Sequence, residues 1–272
     1  MKKVCSICQK VFSGIGVAAV ALLLINAVAA PTEVAVPTLS EDDPLMLAAS
    51  GERDTLPTYQ IKAWDLPKKM DFAGESVPLQ ISDVRERLDR ELLINVYWQS
   101  NGLLLIKRAH KFFPIIEPIL AKYDVPNDFK YLALIESGLQ NVVSPSGAAG
   151  FWQFMKGTAK EYNLEMENTV DERYHLEKAT EAACLYLKKA KEEMGSWTLA
   201  AAAYNAGKSG IRTQLNKQQV NDYYDLHLNN ETSRYVFRIL ALKEIMKNPK
   251  KYGFIYKKSQ LYDLEPVQYV TV

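Results

Sequence analysis

The spacing of apolar residues is the feature of this sequence that most constrains its fold. Four apolar positions recur every fourth residue and so share one face of a helix that begins near residue 82. These positions are Val84, Leu88, Leu92 and Val96. Helical spacing continues over 103–123, 127–137, 178–194, 197–206 and 231–246. Between residues 80 and 250 no alternating run is long enough to predict a strand, so we expect a mainly α domain of roughly 200 residues.

Prolines and glycines indicate where these helices bend or end. Pro114 and Pro118 predict a kink or a break in the second stretch, because a proline inside a helix removes a backbone donor and clashes with the preceding turn. Asn127 or Asp128 is the expected N-cap of the third stretch, and Gly138 is its expected stop.

The first 29 residues have the three parts of an export signal. Three lysines and no acid precede a charge-free apolar run over 11–25, and Ala27-Val28-Ala29 supplies small residues at a cleavage site. The run is short for a spanning helix, which needs about 20 apolar residues. We expect export to the cell envelope, in the periplasm. Extending the run to residue 30 gives the alternative of an uncleaved anchor, through which alone the chain would contact the membrane.

The remaining chain divides into a lead-in, a folded body and a tail. Residues 30–58 contain prolines and acids without sustained apolar periodicity, so 30–74 is expected to be a flexible tether and lead-in. The body is expected over 75–265. Residues 266–272 form the C-terminal tail, in which 267–272 is a candidate short strand.

Charge and cysteine content exclude several classes of function. The chain has 33 Lys and Arg against 32 Asp and Glu, so no broad basic surface for a nucleic acid is expected. Only Cys184 follows the export segment, which excludes a disulfide framework or a four-cysteine zinc site. The three histidines lack paired metal-binding spacing, and no phosphate-binding glycine motif is present. We therefore expect no metal and no cofactor.

Glu136 has an unusual position for an acid, at the end of an apolar helix. The negative end of the helix dipole disfavours a second negative charge there, and desolvation by neighbours such as Ile135 acts in the same direction. Both effects raise the pKa of the carboxyl, and a carboxyl that is neutral near pH 7 suits general-acid catalysis. The alternative is a solvated glutamate at a helix end, and spacing alone leaves both open.

Two further motifs combine small residues with aromatic and amide side chains. The segment 144–155 contains glycines, Trp152 and Gln153, which indicates either close approach of its backbone to a ligand or a tight turn packed under the tryptophan. Tyr204 and Asn205 end an alanine-rich helix, where they either reach a polyhydroxylated ligand or cap the helix.

Together these motifs resemble the transglycosylase SLT domain of the lytic murein transglycosylases, which are related to goose-type lysozyme. The resemblance rests on four ordered motifs: Glu136-Ser137, the segment 144–155, the segment 203–207, and Glu231-Thr232-x-x-Tyr235. It covers about residues 75–265, and the sequence there is most similar to the membrane-bound lytic murein transglycosylase D branch. It implies a lysozyme-like transglycosylase domain with additional N-terminal helices.

The resemblance also implies a reaction and its residues. Family members cleave the β-1,4 bond between N-acetylmuramic acid and N-acetylglucosamine without water, leaving 1,6-anhydromuramoyl ends. Glu136 would be the single acid and base, since the N-acetyl group of the substrate supplies the nucleophile. The implied substrate-binding residues are Ser137, Ser144, Ser146, Gln153, Tyr204, Asn205 and Tyr235. The implied partners are peptidoglycan glycan strands, and cell-wall assembly proteins are further candidates.

Several alternatives stay open at this point. A hydrolytic muramidase on the same fold needs a second acid to position water, and no aspartate occurs between Glu136 and Asp171. Three nearby glutamates remain candidates for that role: Glu161, Glu165 and Glu167. A catalytically silent glycan-binding scaffold is the other alternative. Trp152 is expected either to stack on a sugar or to anchor the core, Ser137 to help fix the helix end, and Glu231-Thr232 to brace the last helix.

Overall fold

Helices make up most of the chain that the structure describes, as the periodicity predicts. The computed structural model describes residues 61–167 and 169–264. The export segment, most of the expected tether and the candidate C-terminal strand lie outside these residues. The described helices are α1 (Ser82–Tyr97), α2 (Gln99–Lys122), α3 (Lys130–Ser137), α4 (Lys156–Glu161), α5 (Leu176–Met194), α6 (Trp197–Ala206), α7 (Lys208–Gln218) and α8 (Asn230–Lys247). Short 3-10 turns occur at Asn127–Phe129, Glu172–Tyr174, Tyr223–Asp225 and Lys258–Gln260.

The apolar face predicted for the first helix is confirmed. All four apolar positions of α1 are buried, and they pack chiefly against α8. Helix α6 is also among the most buried, because its alanines allow α5 and α8 to approach it closely. Helices α5, α6 and α8 thus form the centre of a mainly α domain, and the N-terminal helix α1 covers one side of it.

Of the kink or break expected at the prolines of the second stretch, the structure shows no break. Helix α2 is continuous from Gln99 to Lys122 and contains both Pro114 and Pro118. Its residues Ile116 and Leu120, on the same stretch as the prolines, are fully buried, and the helix packs against α3 and α5. The free energy gained by burying this face offsets the cost of the backbone hydrogen bonds that the prolines remove.

The start of the third helix differs from the prediction, and its end agrees. Neither Asn127 nor Asp128 caps α3; they belong to a 3-10 turn, and Asp128 Oδ2 instead accepts hydrogen bonds from Ala73 N (2.7 Å) and Lys243 Nζ (2.5 Å). Gly138 ends the helix in the left-handed conformation, at φ 60°. The predicted stop is therefore confirmed, whereas the predicted cap is wrong because a buried lysine competes for the aspartate.

A small hairpin precedes the first helix and holds the helical body together. Strand β1 (Asp71–Phe72) pairs antiparallel with β2 (Glu75–Ser76), and Phe72 is fully buried. The carboxylate of Glu75 accepts hydrogen bonds from Trp197 N (2.6 Å) and Thr198 N (2.8 Å), and so caps α6. The folded region therefore includes residues before 75, where the sequence placed its boundary.

Two helices were not predicted. Helix α7 buries only Ile211, so it has no apolar stripe for periodicity to detect. Helix α4 has six residues, which is too short for a repeat to be recognised. Within the described residues, no helix has both the length and the apolar character needed to cross a membrane.

Candidate functional site

A polar cleft of about 420 Å³ gathers the predicted site residues. It lies where the end of α3, the segment 144–155, the end of α6 and the start of α8 meet. The predicted residues that line it are Glu136, Ser144, Ser146, Gln153, Tyr204, Asn205 and Tyr235. Ser137 is the predicted residue that the cleft does not include.

Glu136 occupies the next-to-last position of α3 and is half-buried. Burial raises the pKa of its carboxyl from the usual 4.5 to about 7, and the negative charge of Glu231 adds to this increase. A hydrogen bond from Tyr235 and the positive charge of Arg238 act in the opposite direction. The raised pKa expected from the sequence is thus present, and burial is its main cause.

Tyr235 is the direct hydrogen-bond partner of this carboxyl. Its hydroxyl donates to Glu136 Oε1, and its side chain is 2 % exposed. Burial and the nearby carboxylate raise the pKa of Tyr235 well above the usual 10. The phenol therefore stays protonated and remains a donor to Glu136 over the physiological pH range.

Gln153 is held in the cleft by its own loop. It has a positive φ of 50°, and its Nε2 donates to Val142 O (3.0 Å) and Gly150 O (2.8 Å). These bonds fix the orientation of the amide. Within the described residues Oε1 has no hydrogen-bond partner, so this atom is available to accept from an N–H or O–H group of a ligand.

The two serines of the segment 144–155 have different positions. Ser144 Oγ accepts from Ala148 N (3.0 Å) and closes a turn, in which Gly147 N donates to Ser144 O (2.9 Å). Ser146 lies on that turn with its side chain exposed at the edge of the cleft. Ser144 therefore shapes the wall, whereas the Ser146 hydroxyl is free to contact a ligand.

Tyr204 and Asn205 also line the cleft, at the end of α6. Tyr204 donates to Trp152 O (2.7 Å). Asn205 Nδ2 donates to Glu231 Oε1 (3.0 Å), and its Oδ1 accepts from Thr232 Oγ1 (2.8 Å). Asn205 thus joins the end of α6 to the start of α8, and it holds Glu231 at the cleft.

The comparisons with known proteins agree with this geometry. Residues 113–226 match the family described as the transglycosylase SLT domain. This segment is similar to a transglycosylase SLT domain. It is also similar to two curated proteins named membrane-bound lytic murein transglycosylase D, from Escherichia coli K12 and from Escherichia coli O6:H1. Each is 29 % identical to it over 191 residues, which cover 67 % of this chain and 41 % of the relative. The resemblance found in the sequence motifs is confirmed, and the chain spans about two fifths of the length of these relatives.

The SLT match ends before the helix that completes the cleft. Glu231, Tyr235 and Arg238 all belong to α8, which begins at Asn230. Residues 231, 235 and 238 are spaced so that they share one face of this helix, and all three line the cleft. The hydrogen-bond donor to Glu136, Tyr235, therefore lies outside the matched segment.

Glu231 has more contact with the cleft than the sequence indicated. It was expected only to brace the last helix, and its bond to Asn205 is such a brace. It also lines the cleft, however, and is exposed there. The other acids weighed as a second carboxylate, at 161, 165 and 167, do not line the cleft. The signal that identifies Glu231 is its four-residue spacing from Tyr235 on α8.

Neither Ser137 nor Trp152 lines the cleft. Ser137 is 7 % exposed, and its Oγ donates to Phe151 O (2.8 Å), so it fixes the helix end and does not face the cleft. Trp152 is fully buried, and its Nε1 donates to Thr180 Oγ1 (2.8 Å). The structure therefore places Trp152 as a core anchor and not as a stacking platform for a sugar.

Arg173 is a buried residue that binds the segment 144–155 through its side chain. The sequence analysis did not predict this role. Its side chain is 4 % exposed and donates to Gly147 O (2.9 Å) and Phe154 O (3.0 Å), while Asp171 balances its charge. These partners lie about 20 or more residues apart in the chain, so no local pattern predicts them. The shape of the cleft wall depends on this buried arginine.

Replacing Tyr235 with Phe should raise the pKa of Glu136 above about 7. The hydrogen bond that is lost stabilises the ionised carboxylate, so its removal favours the neutral acid. A hydrogen bond to a charged group is worth roughly 1.5–3 kcal/mol, which corresponds to an increase of about one pKa unit or more. Carbon-13 NMR titration of glutamate carboxyls measures the pKa directly.

Tyr223→Phe is the matched control for this titration. Tyr223 is as buried as Tyr235, but its hydroxyl donates to Thr232 O (2.9 Å) and Ser233 O (2.8 Å), away from Glu136. The pKa of Glu136 should not change in this variant. An unchanged or lowered pKa in Tyr235→Phe would contradict the assigned hydrogen bond.

Proposed function

We propose that this protein is a peptidoglycan lytic transglycosylase. It cleaves the β-1,4 bond between N-acetylmuramic acid and N-acetylglucosamine, and it leaves 1,6-anhydromuramoyl ends. The observation that carries this proposal is the Glu136 carboxyl, whose pKa of about 7 keeps a large fraction of it, about half, protonated at neutral pH inside a cleft formed in part by the segment that matches the SLT domain. The names of the similar proteins support the same reaction class.

The first step of the proposed reaction uses Glu136 as an acid. Its proton passes to the glycosidic oxygen, and the bond from that oxygen to C1 of the muramoyl sugar breaks. The carbonyl oxygen of the muramoyl N-acetyl group bonds to C1, so no second protein carboxylate is required as a nucleophile. Tyr235 stabilises the carboxylate that Glu136 becomes, because its hydroxyl donates to Oε1.

The second step uses the same residue as a base. Glu136 takes the proton of the muramoyl C6 hydroxyl, and the C6 oxygen displaces the N-acetyl oxygen from C1. The 1,6-anhydro ring forms, the N-acetyl group is restored and Glu136 ends protonated, without consumption of water. A pKa near the working pH suits a group that must give up and then regain a proton.

The cleft walls are suited to bind the N-acetyl sugar. Gln153 Oε1 can accept a hydrogen bond from the N–H of an N-acetyl group, since its Nε2 is already bonded to the loop. Asn205 and Ser146 add polar atoms at two sides of the cleft. Together they would place the sugar next to Glu136, and such positioning lowers the barrier for a proton transfer.

Mass analysis of the products tests the proposal. Purified protein should release fragments from peptidoglycan that are lighter, by one water, than those of a muramidase digest of the same material. Borohydride treatment provides a second readout, since it reduces free sugar ends and leaves anhydro ends unchanged. Products with reducing muramoyl ends alone would show that the protein is not a lytic transglycosylase.

A hydrolytic muramidase is a second candidate because Glu231 lines the same cleft as Glu136. In a hydrolase, a second carboxylate activates water or forms the covalent intermediate. Glu231→Gln should then abolish cleavage. In the transglycosylase, the same change should leave both the anhydro product and most of the rate in place, because the amide oxygen of glutamine can still accept the hydrogen bond from Asn205.

We further propose that the protein works in the cell envelope, where its substrate is found. The relatives are named as membrane-bound, and the first 29 residues have the pattern of an export signal. Export by residues 1–29 places the SLT domain next to peptidoglycan strands. Cell-wall assembly proteins are the partners proposed beside those strands.

A further inference from the structure

A second polar cavity adjoins the cleft on the other side of the end of α3. It has a volume of about 370 Å³ and is lined by Arg108, Arg234 and Arg238, together with Glu91, Asn101 and Trp98. We name it the arginine pocket. Ile135 and Arg238 line both the arginine pocket and the cleft, so the two cavities are neighbours. A sugar bound in the cleft would therefore lie beside the arginine pocket.

The arginine pocket has an excess of positive charge. Its one carboxylate, Glu91, is 1 % exposed and is held by Arg234 through bonds of 2.6 and 3.1 Å. Arg108 and Arg238 form no ion pair within the described residues; each donates one hydrogen bond, of 3.2 Å to Gly138 O and 3.3 Å to Ile135 O. Two guanidinium groups thus keep most of their donors available.

Guanidinium groups whose N–H donors are unbonded in a pocket are well suited to bind a carboxylate. A planar fork of N–H groups binds a carboxylate through two parallel hydrogen bonds, which a hydroxyl group of a sugar cannot accept in the same way. The pocket volume lies in the range of about 300–1,000 Å³ that is typical of small-ligand sites. Asn101 adds an amide, and the half-exposed Trp98 adds an apolar surface.

We propose that the arginine pocket binds a carboxylate of the peptide carried by the muramoyl sugar. This inference rests on the proposed function, because the muramoyl sugar in the cleft is what brings its peptide to the pocket. The peptide is attached to the lactyl group of that sugar and contains free carboxylates. The pocket would make peptide-bearing strands better substrates than strands without peptides.

Binding of a small muropeptide tests this assignment without any need for catalysis. N-acetylmuramoyl-L-alanyl-D-glutamate should bind the wild-type protein about tenfold more tightly than the same compound with both glutamate carboxylates converted to amides. Calorimetry measures both affinities. Arg108→Gln should remove this difference, since it takes away one guanidinium without changing the lining of the cleft.

Two further variants make the result decisive. Arg90→Gln is the matched control, because Arg90 is exposed on α1 and does not line the pocket; it should keep the preference for the acid. Asn101→Asp leaves both arginines in place and adds a negative charge to the pocket, so it should weaken binding of the acid and not of the amide. If Arg108→Gln does not fold, Asn101→Asp still tests the assignment of the arginine pocket.

Cleavage assays separate a failure of this proposal from a failure of the proposed function. Arg108→Gln should lose the several-fold preference for peptide-bearing over peptide-free strands, whereas Arg90→Gln should keep both the preference and the wild-type rate. Equal binding of the acid and the amide by the wild type, or a preference that persists in both pocket variants, would refute the pocket assignment. Absence of cleavage on both kinds of strand would instead refute the proposed reaction and leave the binding result standing.

Discussion

Glu136→Gln should lower the turnover of peptidoglycan by about 10²–10⁴-fold, which is the usual contribution of general acid–base catalysis. Glutamine has nearly the same shape as the protonated glutamate but cannot release a proton to the glycosidic oxygen. The carboxyl is half-buried and its pKa is about 7, so it is already neutral in about half of the molecules at pH 7, and the neutral amide replaces a state that the fold accommodates. The fold and the binding of glycan strands should therefore be retained. Turnover and strand sedimentation, measured on the same preparation, test both expectations.

Glu161→Gln is the matched control for this experiment. Glu161 undergoes the same chemical change, but it is exposed, does not line the cleft and forms an ion pair with Lys189 at 3.3 Å. Its turnover should equal that of the wild type. Unchanged turnover in Glu136→Gln would exclude Glu136 as the acid. A wild-type protein that binds strands but never cleaves them would support the silent glycan-binding scaffold.

Gly150→Ala should destabilise the protein by about 2–5 kcal/mol. Gly150 has a positive φ of 80°, and a Cβ atom there would lie 1.8 Å from Arg173 O and 2.7 Å from Arg173 C. The left-handed conformation costs a non-glycine residue roughly 1–2 kcal/mol, and over-packing adds roughly 1–3 kcal/mol. The backbone of Arg173 cannot move easily, because its side chain binds Gly147 O and Phe154 O. Urea unfolding measures the change in free energy.

Gly147→Ala separates the two causes of this destabilisation. Gly147 has a similar φ of 85°, but no heavy atom lies within 4 Å of the position that a Cβ would occupy. Its substitution should cost only the roughly 1–2 kcal/mol of the left-handed conformation. If both variants lose the same stability, contact with Arg173 is not what requires a glycine at position 150.

Local rules predicted the helices because they act over a few residues. The face of α1, the bounds of α6 and the stop at Gly138 follow from apolar spacing and glycine, and the structure agrees with them. The same rules were less complete where distant groups compete. Burial of Ile116 and Leu120 keeps α2 continuous through its prolines, and Lys243 takes the aspartate that was expected to cap α3.

The sequence predicted part of the candidate site, and the basis of the prediction differs between Glu136 and Tyr235. The raised pKa of Glu136 was expected from the apolar helix and its dipole, although burial proves to be the main cause. Tyr235 was expected at the site through the family resemblance alone. No rule of spacing joins these residues, which are 99 positions apart.

The sequence by itself determined a mainly α chain, and it placed an acid at the end of an apolar helix. Both features depend on neighbours within one or two turns. Only the tertiary structure decided which groups surround that acid: α8 brings Tyr235, Arg238 and Glu231 to the cleft, and the fold leaves Arg108 without a carboxylate partner among the described residues. The physical reason is that burial and charge pairing depend on distances in space, which the packing of the helices sets.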